Sequence, residues 1–133
     1  MALTLFGIRN CDTVKKARAW LDTRGVAYAF HDYKAAGVDA DYLARWINAL
    51  GWEAVLNRAG TTYRALPDAE KADLAAAKAD LAAARADLAA AKAVRLMLAN
   101  PSMIKRPILE GPGAAGQDVL LAGFKPDTWA QVL

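Results

Sequence analysis

The sequence is poor in residues that form disulfides or bind transition metals. Among its 133 residues there is one cysteine, Cys11, and one histidine, His31. An internal disulfide is therefore excluded, as are metal sites built from cysteine pairs or histidine clusters, and we expect no metal and no tightly bound cofactor. Any redox cycle at Cys11 must take its second thiol from another molecule.

Long apolar runs and a strong excess of one charge are also missing. No stretch approaches the roughly 18 unbroken apolar residues of a membrane span. The first ten residues lack the features of a secretory signal peptide, so we expect a cytoplasmic protein without membrane contact. The net charge is +3, and no basic stripe interleaved with aromatic residues accompanies it. This charge favours a small anionic ligand or simple solubility, and a nucleic-acid partner is not expected.

The spacing of apolar residues in the first third of the chain predicts an α/β domain. Leu3–Ile8 is a short apolar run typical of a buried strand. A helix is predicted to begin near Asp12 or Thr13, both good capping types, and to end at Gly25. The alternation in Val26–Tyr33 predicts a second strand. The opening is thus β-α-β, with a connection long enough for parallel strands.

The rest of the chain predicts further helices and a hairpin. A helix is predicted over Asp39–Leu50, followed by a loop at Asn57–Tyr63. Arg106–Glu110 and Val119–Leu121, joined by a stretch rich in glycine and proline, predict a β-hairpin. A short helix is predicted after Pro126. The length favours one domain over residues 1–133.

A tandem repeat of seven residues interrupts this pattern. Residues 72–78, 79–85 and 86–92 read ADLAAAK, ADLAAAR and ADLAAAK. Because alanine is the best helix former, one helix is predicted from about Asp68 to Ala99, with a length of about 45–50 Å. Two interpretations remain open. The repeat is either a helical spacer, or a thin coiled-coil seam with Leu74, Leu81 and Leu88 at position a and alanines at position d.

Four separated pieces of the sequence resemble one known family. They are residues 7–13 (GIRNCDT) with the following Lys15–Ala17, residues 57–62 (NRAGTT), residues 104–108 (IKRPI) and residues 123–126 (GFKP). In this order they resemble the ArsC/Spx-like family, in particular its arsenate-reductase-related subgroup with a CDT motif. The resemblance implies a thioredoxin-like fold, βαβ then ββα with a mixed sheet. A helical insertion at residues 39–100 would contain the long alanine-rich helix.

The position of Cys11 predicts a reactive thiol. It lies where a strand gives way to a helix, and the unpaired N–H groups of a helix start favour an anion such as a thiolate. The thiolate is the nucleophilic form of cysteine. The same groups can bind an oxyanion substrate. The alternative is an inert, buried thiol. Asn10 and Thr13 flank the cysteine and are candidates for orienting the anion, although capping explains Thr13 equally well.

The resemblance implies three basic residues that hold the anion near Cys11. In arsenate reductases of this family they correspond to Arg58, Arg106 and a third position, which is normally arginine and here is Lys125. Lysine lacks the planar pair of donors with which arginine grips an oxyanion, so this departure counts against arsenate itself. Pro107 corresponds to a proline that is normally cis. Redox-sensing regulators of the family have a second cysteine where this chain has Val14.

Two hypotheses about function follow. The first is a thiol-dependent oxidoreductase of the arsenate-reductase type, in which Cys11 attacks the substrate. Glutathione would be the co-substrate, with glutathione or a glutaredoxin resolving the product, and the protein would be a monomer or weak dimer. The second is a binding or regulatory protein without enzyme activity that kept the fold and engages a protein partner. Turnover with glutathione that depends on Cys11 distinguishes them.

Overall fold

A computed structural model describes residues 3–71 and 83–133. These residues form two compact units. One contains the chain up to Gly37 together with Lys105–Leu133, and the other contains Val38–Ile104.

Two strands near the start and two near the end of the described residues enclose a run of helices. The strands are β1 (Thr4–Gly7), β2 (Ala29–Asp32), β3 (Ile108–Pro112) and β4 (Asp118–Ala122). The helices are α1 (Asp12–Thr23), α2 (Tyr33–Ala36), α3 (Ala40–Leu50), α4 (Trp52–Val55), α5 (Thr61–Arg64), α6 (Ala83–Ala99) and α7 (Pro126–Val132), with a 3-10 turn at Pro101–Met103.

The four strands form one mixed sheet in the order β2-β1-β3-β4. Strand β1 is parallel to β2 and antiparallel to β3, and β3 is antiparallel to β4. The βαβ and ββα halves therefore join through β1 and β3. This confirms the α/β class and the mixed sheet expected from the sequence.

An apolar core fixes α1 and α7 on the sheet. Helix α1 buries Val14, Ala17 and Leu21, which recur every three or four residues and so lie on one side of the helix. Leu5 of β1 is paired with Leu109 of β3, and both belong to one core cluster with residues of α1. The cluster contains Leu3, Leu5, Ala17, Leu21, Leu109, Val119 and Trp129.

The second strand is shorter than predicted. The alternation predicted a strand over Val26–Tyr33, but β2 covers only Ala29–Asp32, and Tyr33 begins helix α2. The carboxylate of Asp32 accepts hydrogen bonds from the backbone amides of Lys34 and Ala35, which caps the new helix. Capping by one side chain therefore overrides the apolar alternation.

The unit Val38–Ile104 is mainly helical. Helix α3 buries Leu43 and Trp46, and Asp39 caps it through the amide of Asp41, so the predicted helix begins one residue later than expected. Helix α6 contacts α3 and α4, and buries Ala93 and Met97.

Two further predictions for this unit have different outcomes. The loop predicted to run to Tyr63 is wrong at its end, because α5 begins at Thr61. The predicted end of the long helix at Asn100-Pro101 is confirmed, because α6 ends at Ala99.

The alanine-rich repeat is described only in part. Residues 68–71 and Ala83–Ala99 are helical. The prediction of one continuous helix, and the possible seam through Leu74, Leu81 and Leu88, depend on residues 72–92, part of which lies outside the described residues. Within the described segments, no helix combines the length and apolar character that a membrane crossing requires.

Candidate active site

Cys11 is the N-cap residue of α1. Its backbone is extended (φ −114°, ψ 125°), and its carbonyl oxygen accepts the first helical hydrogen bond from the Lys15 amide at 2.9 Å. The thiol does not cap the helix and is half-buried. The predicted helix start is therefore confirmed at Asp12, with the cysteine itself as the cap. A helix start leaves the amides of its first turn without helical partners, and Cys11 lies at such a start.

A glycine at the end of β1 lets this helix start approach the strand closely. A Cβ atom placed on Gly7 would lie 2.8 Å from a methyl group of Val14, closer than side chains pack. Val14 is fully buried in the first turn of α1. Gly7 and Val14 thus fix the first turn on the sheet, and only Ile8, Arg9 and Asn10 separate the strand from Cys11.

The sheet register places several predicted residues at one edge. Gly7 of β1 pairs with Asp32 of β2, and Phe6 pairs with Ile108 of β3. Ile108 also pairs with Ala122 of β4. The segments that follow β1, β2 and β4, and the one that precedes β3, therefore all leave the sheet at the same edge. The loop with Cys11 follows β1, Tyr33 follows β2 and Lys125 lies after β4. Arg106 lies just before β3.

The two basic segments at this edge are joined directly. The Gly123 amide donates a hydrogen bond of 2.8 Å to the carbonyl of Pro107. Gly123 has φ +82°, a conformation that favours glycine. The Arg106-Pro107 bond is cis, as the resemblance implied. Lys125 is exposed and is the N-cap residue of α7.

Tyr33 lies within the electrostatic reach of Arg106. The side chain of Tyr33 is 1% exposed and stacks on Phe6 with ring centroids 6.4 Å apart. Burial raises the pKa of the Tyr33 hydroxyl well above its ordinary value, and the nearby charge of Arg106 lowers it in part. Tyr33 is therefore neutral, and the Arg106 guanidinium lies close to a buried phenol.

Asp32 contacts the cysteine loop, which the sequence did not predict. One carboxylate oxygen accepts a hydrogen bond of 3.0 Å from the Arg9 amide, and the other accepts from Lys34 and Ala35 at 2.8 and 3.2 Å. Burial raises the pKa of Asp32, but these three amides and the charge of Arg9 outweigh it and hold the pKa below its ordinary value. Asp32 is therefore ionised at neutral pH.

The lowered pKa of Asp32 predicts a pH-dependent contribution to stability. A carboxylate with a lower pKa in the folded state stabilises the protein above its unfolded pKa, ordinarily about 3.8. That contribution is lost as the pH falls through the folded pKa. We expect the Asp32→Asn variant to unfold at lower urea concentration than the wild type at pH 7, and the difference to shrink as the pH falls below 4. A difference that is constant from pH 7 to pH 2 would contradict this assignment.

The remaining predicted residues occupy different places. Asn10 and Thr13 are exposed on either side of Cys11. Thr13 is the second residue of α1, so its alternative role as the cap is wrong. Arg58 belongs to the other unit, where its guanidinium lies 5.9 Å above the ring of Trp52. Its approach to Cys11 stays a prediction, as do the anion-binding roles of the whole set.

The described residues also bear on metal binding. In residues 3–71 and 83–133, His, Cys, Asp and Glu side chains do not gather in groups of three that could hold a metal ion.

Comparison with known proteins identifies the family. The model of the ArsC family matches residues 6–132. The chain belongs to the ArsC family. Solved proteins related to ArsC share this architecture along nearly the whole chain. The thioredoxin-like fold implied by the sequence is therefore confirmed.

Three relatives illustrate the similarity to ArsC-family proteins. The solved YffB protein is 53% identical, with 98% of each chain covered and a TM-score of 0.79. An arsenate reductase (ArsC) related protein from Brucella melitensis is 45% identical, with 98% of this chain and 93% of that chain covered and a TM-score of 0.65. An uncharacterised protein of Haemophilus influenzae is 34% identical over 113 residues, which are 85% of this chain and 87% of the relative.

Proposed function

We propose that the protein is a glutathione-dependent thiol oxidoreductase of the arsenate-reductase type, with Cys11 as its nucleophile. Membership of the ArsC family and the kinship with an arsenate reductase related protein support this class of chemistry. The observation that carries the proposal is the position of Cys11. Cys11 is the half-buried N-cap residue of α1, at the edge of the sheet where Arg106 and Lys125 also leave their strands.

The proposed reaction is an exchange of thiols at Cys11. Its thiolate attacks the glutathione sulfur of a mixed disulfide between glutathione and another thiol. The S–S bond breaks, the other thiol leaves with the electron pair and takes up a proton, and Cys11 is glutathionylated. A second glutathione thiolate then attacks this bond, which yields glutathione disulfide and restores the Cys11 thiolate. The second thiol comes from solution because the chain has no other cysteine.

The basic residues would hold the charge of the substrate. Glutathione carries two carboxylates, and arsenate is a compact oxyanion, so both suit a pocket formed by a helix start and cationic side chains. Arg106 and Lys125 would act from the sheet edge, and the family resemblance adds Arg58 to the set. Thr13 would contact the anion from the first turn of α1, and Asn10 from the loop just before Cys11. Lys125, where arginine is usual, favours glutathione disulfides over arsenate.

A reducing compartment suits this cycle. The cytoplasm supplies glutathione, and a glutaredoxin is the alternative resolving partner. A monomer or weak dimer is sufficient, because the proposed nucleophile and its basic residues are supplied by one chain.

The test combines mass spectrometry with an assay of turnover. The purified protein is incubated with glutathione disulfide, and the intact mass and the Cys11 peptide are examined for a glutathione adduct. Reduction of a mixed disulfide of glutathione with 2-mercaptoethanol is then followed with excess glutathione, and arsenate reduction is assayed in parallel. We expect an adduct on Cys11 and turnover of the mixed disulfide that exceeds turnover of arsenate.

The other outcomes contradict parts of the proposal. Turnover of arsenate alone would keep the nucleophile but replace the substrate by an oxyanion. A protein that forms no adduct and turns over neither substrate would support the alternative of a binding or regulatory protein.

A further inference from the structure

The carboxylate of Asp32 joins two segments that end at the proposed active site. Asp32 is the last residue of β2 and pairs with Gly7, the last residue of β1. One of its oxygens accepts from the Arg9 amide, and the other caps α2 through Lys34 and Ala35. The side chain thus bridges the loop that follows β1 to the helix that follows β2.

This bridge acts on a very short segment. Arg9 lies two residues before Cys11, and the loop is bounded by Gly7 in the sheet and by Cys11 at the helix start. Its first end is fixed because Gly7 packs against Val14, and its second end is fixed because the Cys11 carbonyl accepts from Lys15. Between these two points, the hydrogen bond from Arg9 to Asp32 restrains the middle of the loop.

We propose that Asp32 is a positioning residue, which holds the loop before Cys11 through the Arg9 amide and so sets the orientation of the nucleophile. This role rests on the proposed function for its catalytic consequence. Asp32 acts through the backbone, so it is not a catalytic residue. The ionised state suits the task, because a carboxylate offers acceptors on both oxygens, whereas an asparagine side chain has one acceptor and one donor.

Two variants of Asp32 weaken this bridge in different ways. Asp32→Asn has nearly the same shape, and its single oxygen cannot serve Arg9 and α2 together in the way that two oxygens do. Asp32→Ser keeps a side chain that caps helices well but is too short to span both segments. Asp39→Asn is the matched control, because Asp39 also caps a helix, through the amide of Asp41 at 2.9 Å.

Nuclear magnetic resonance tests the bridge without reference to activity. In the wild type, the Arg9 amide proton should shift as the pH falls through the pKa of Asp32, and this shift should be absent from both Asp32 variants. The order parameters of the Asn10 and Cys11 amides should fall from about 0.85, typical of rigid backbone, toward about 0.6 in the variants. Asp39→Asn should leave the Arg9 titration and these order parameters as they are in the wild type.

Kinetics test the catalytic consequence. Misplacement of a reacting group by a fraction of an ångström reduces the rate, so we expect kcat with the mixed disulfide to fall about tenfold in both Asp32 variants while KM changes less than about twofold. Asp39→Asn should retain the wild-type kcat. The Ser variant retains helix capping, so its loss of kcat cannot be attributed to a melted α2.

The results test the positioning role of Asp32 separately from the proposed function. An Arg9 resonance that does not follow Asp32, or order parameters unchanged in the variants, would overturn the positioning role. A wild-type kcat in both Asp32 variants would overturn it as well. If the wild type itself shows no turnover, the proposed function fails, and the order parameters alone decide whether Asp32 holds the loop.

Discussion

Cys11→Ser is expected to lower glutathione-dependent turnover by about 10³-fold or more, because the nucleophile is lost outright. A serine hydroxyl does not ionise near neutral pH, and its oxygen cannot form the disulfide intermediate. Folding should survive the change. The Cys11 side chain makes no capping hydrogen bond, and serine is a favourable residue at a helix N-cap.

Kinetics and unfolding measured on the same preparation separate these effects. Steady-state rates give the loss of turnover, and urea unfolding gives the stability, which we expect to equal that of the wild type or slightly exceed it. Cys11→Ala serves as the control for any gain from the serine cap. A Cys11→Ser enzyme that keeps a tenth of the wild-type rate would place the nucleophile elsewhere or show that another group catalyses the exchange.

Trp129→Ala is expected to lower the free energy of unfolding by about 4 kcal/mol, the cost typical of removing a buried aromatic side chain. Trp129 is fully buried. Its ring meets those of Phe124 and Trp20 edge to face, with centroids 4.9 and 5.9 Å apart. These rings attach α7 to α1, so the loss removes packing from both helices.

Two further variants make the Trp129 experiment specific. Trp129→Phe keeps an aromatic ring and removes an indole N–H that is buried without a hydrogen-bond partner among the described residues, so it should cost less than half as much. Gln131→Ala changes an exposed residue of the same helix and should alter stability by less than about 0.5 kcal/mol. Equal losses for the Ala and Phe variants would show that the edge-to-face packing contributes little.

Local patterns in the sequence were sufficient to predict most of the elements. The apolar spacing in Val14, Ala17 and Leu21 depends only on neighbours within one helix, so α1 was predicted close to its observed bounds. The strands of the hairpin were predicted because short apolar runs flank a stretch rich in glycine and proline, which is also a local pattern. The cis bond at Pro107 and the thioredoxin-like fold came from the family resemblance, since no local pattern specifies them.

Contacts between distant segments account for what the sequence did not reveal. The bond from the Arg9 amide to Asp32 could not be predicted, because it depends on the pairing of β1 with β2. The need for glycine at position 7 depends on the approach of Val14 from a helix. One miss has a local cause: the alternation predicted Tyr33 to be extended, but Asp32 caps a helix that begins there.

The candidate site was predictable in part. Cys11 stood out because it is the sole cysteine and lies at a helix start. Arg106 and Lys125 were identified only through the family motifs, because nothing in their own neighbourhoods distinguishes them from surface charges. That they leave the sheet at the same edge as the cysteine loop follows from strand pairing over a separation of about a hundred residues.

Because β1 lies between β2 and β3, the candidate site is completed late in the synthesis of the chain. Strand β1 pairs with β2 on one side through a short connection and with β3 on the other only after residues 38–104 have been synthesised. The chain is synthesised from its N-terminus, so the Cys11 thiol emerges from the ribosome before Arg106 and Lys125 are made. During that interval the thiol is without the cations of the finished sheet edge. Its reactivity toward disulfides would then mature only when the last quarter of the chain has folded.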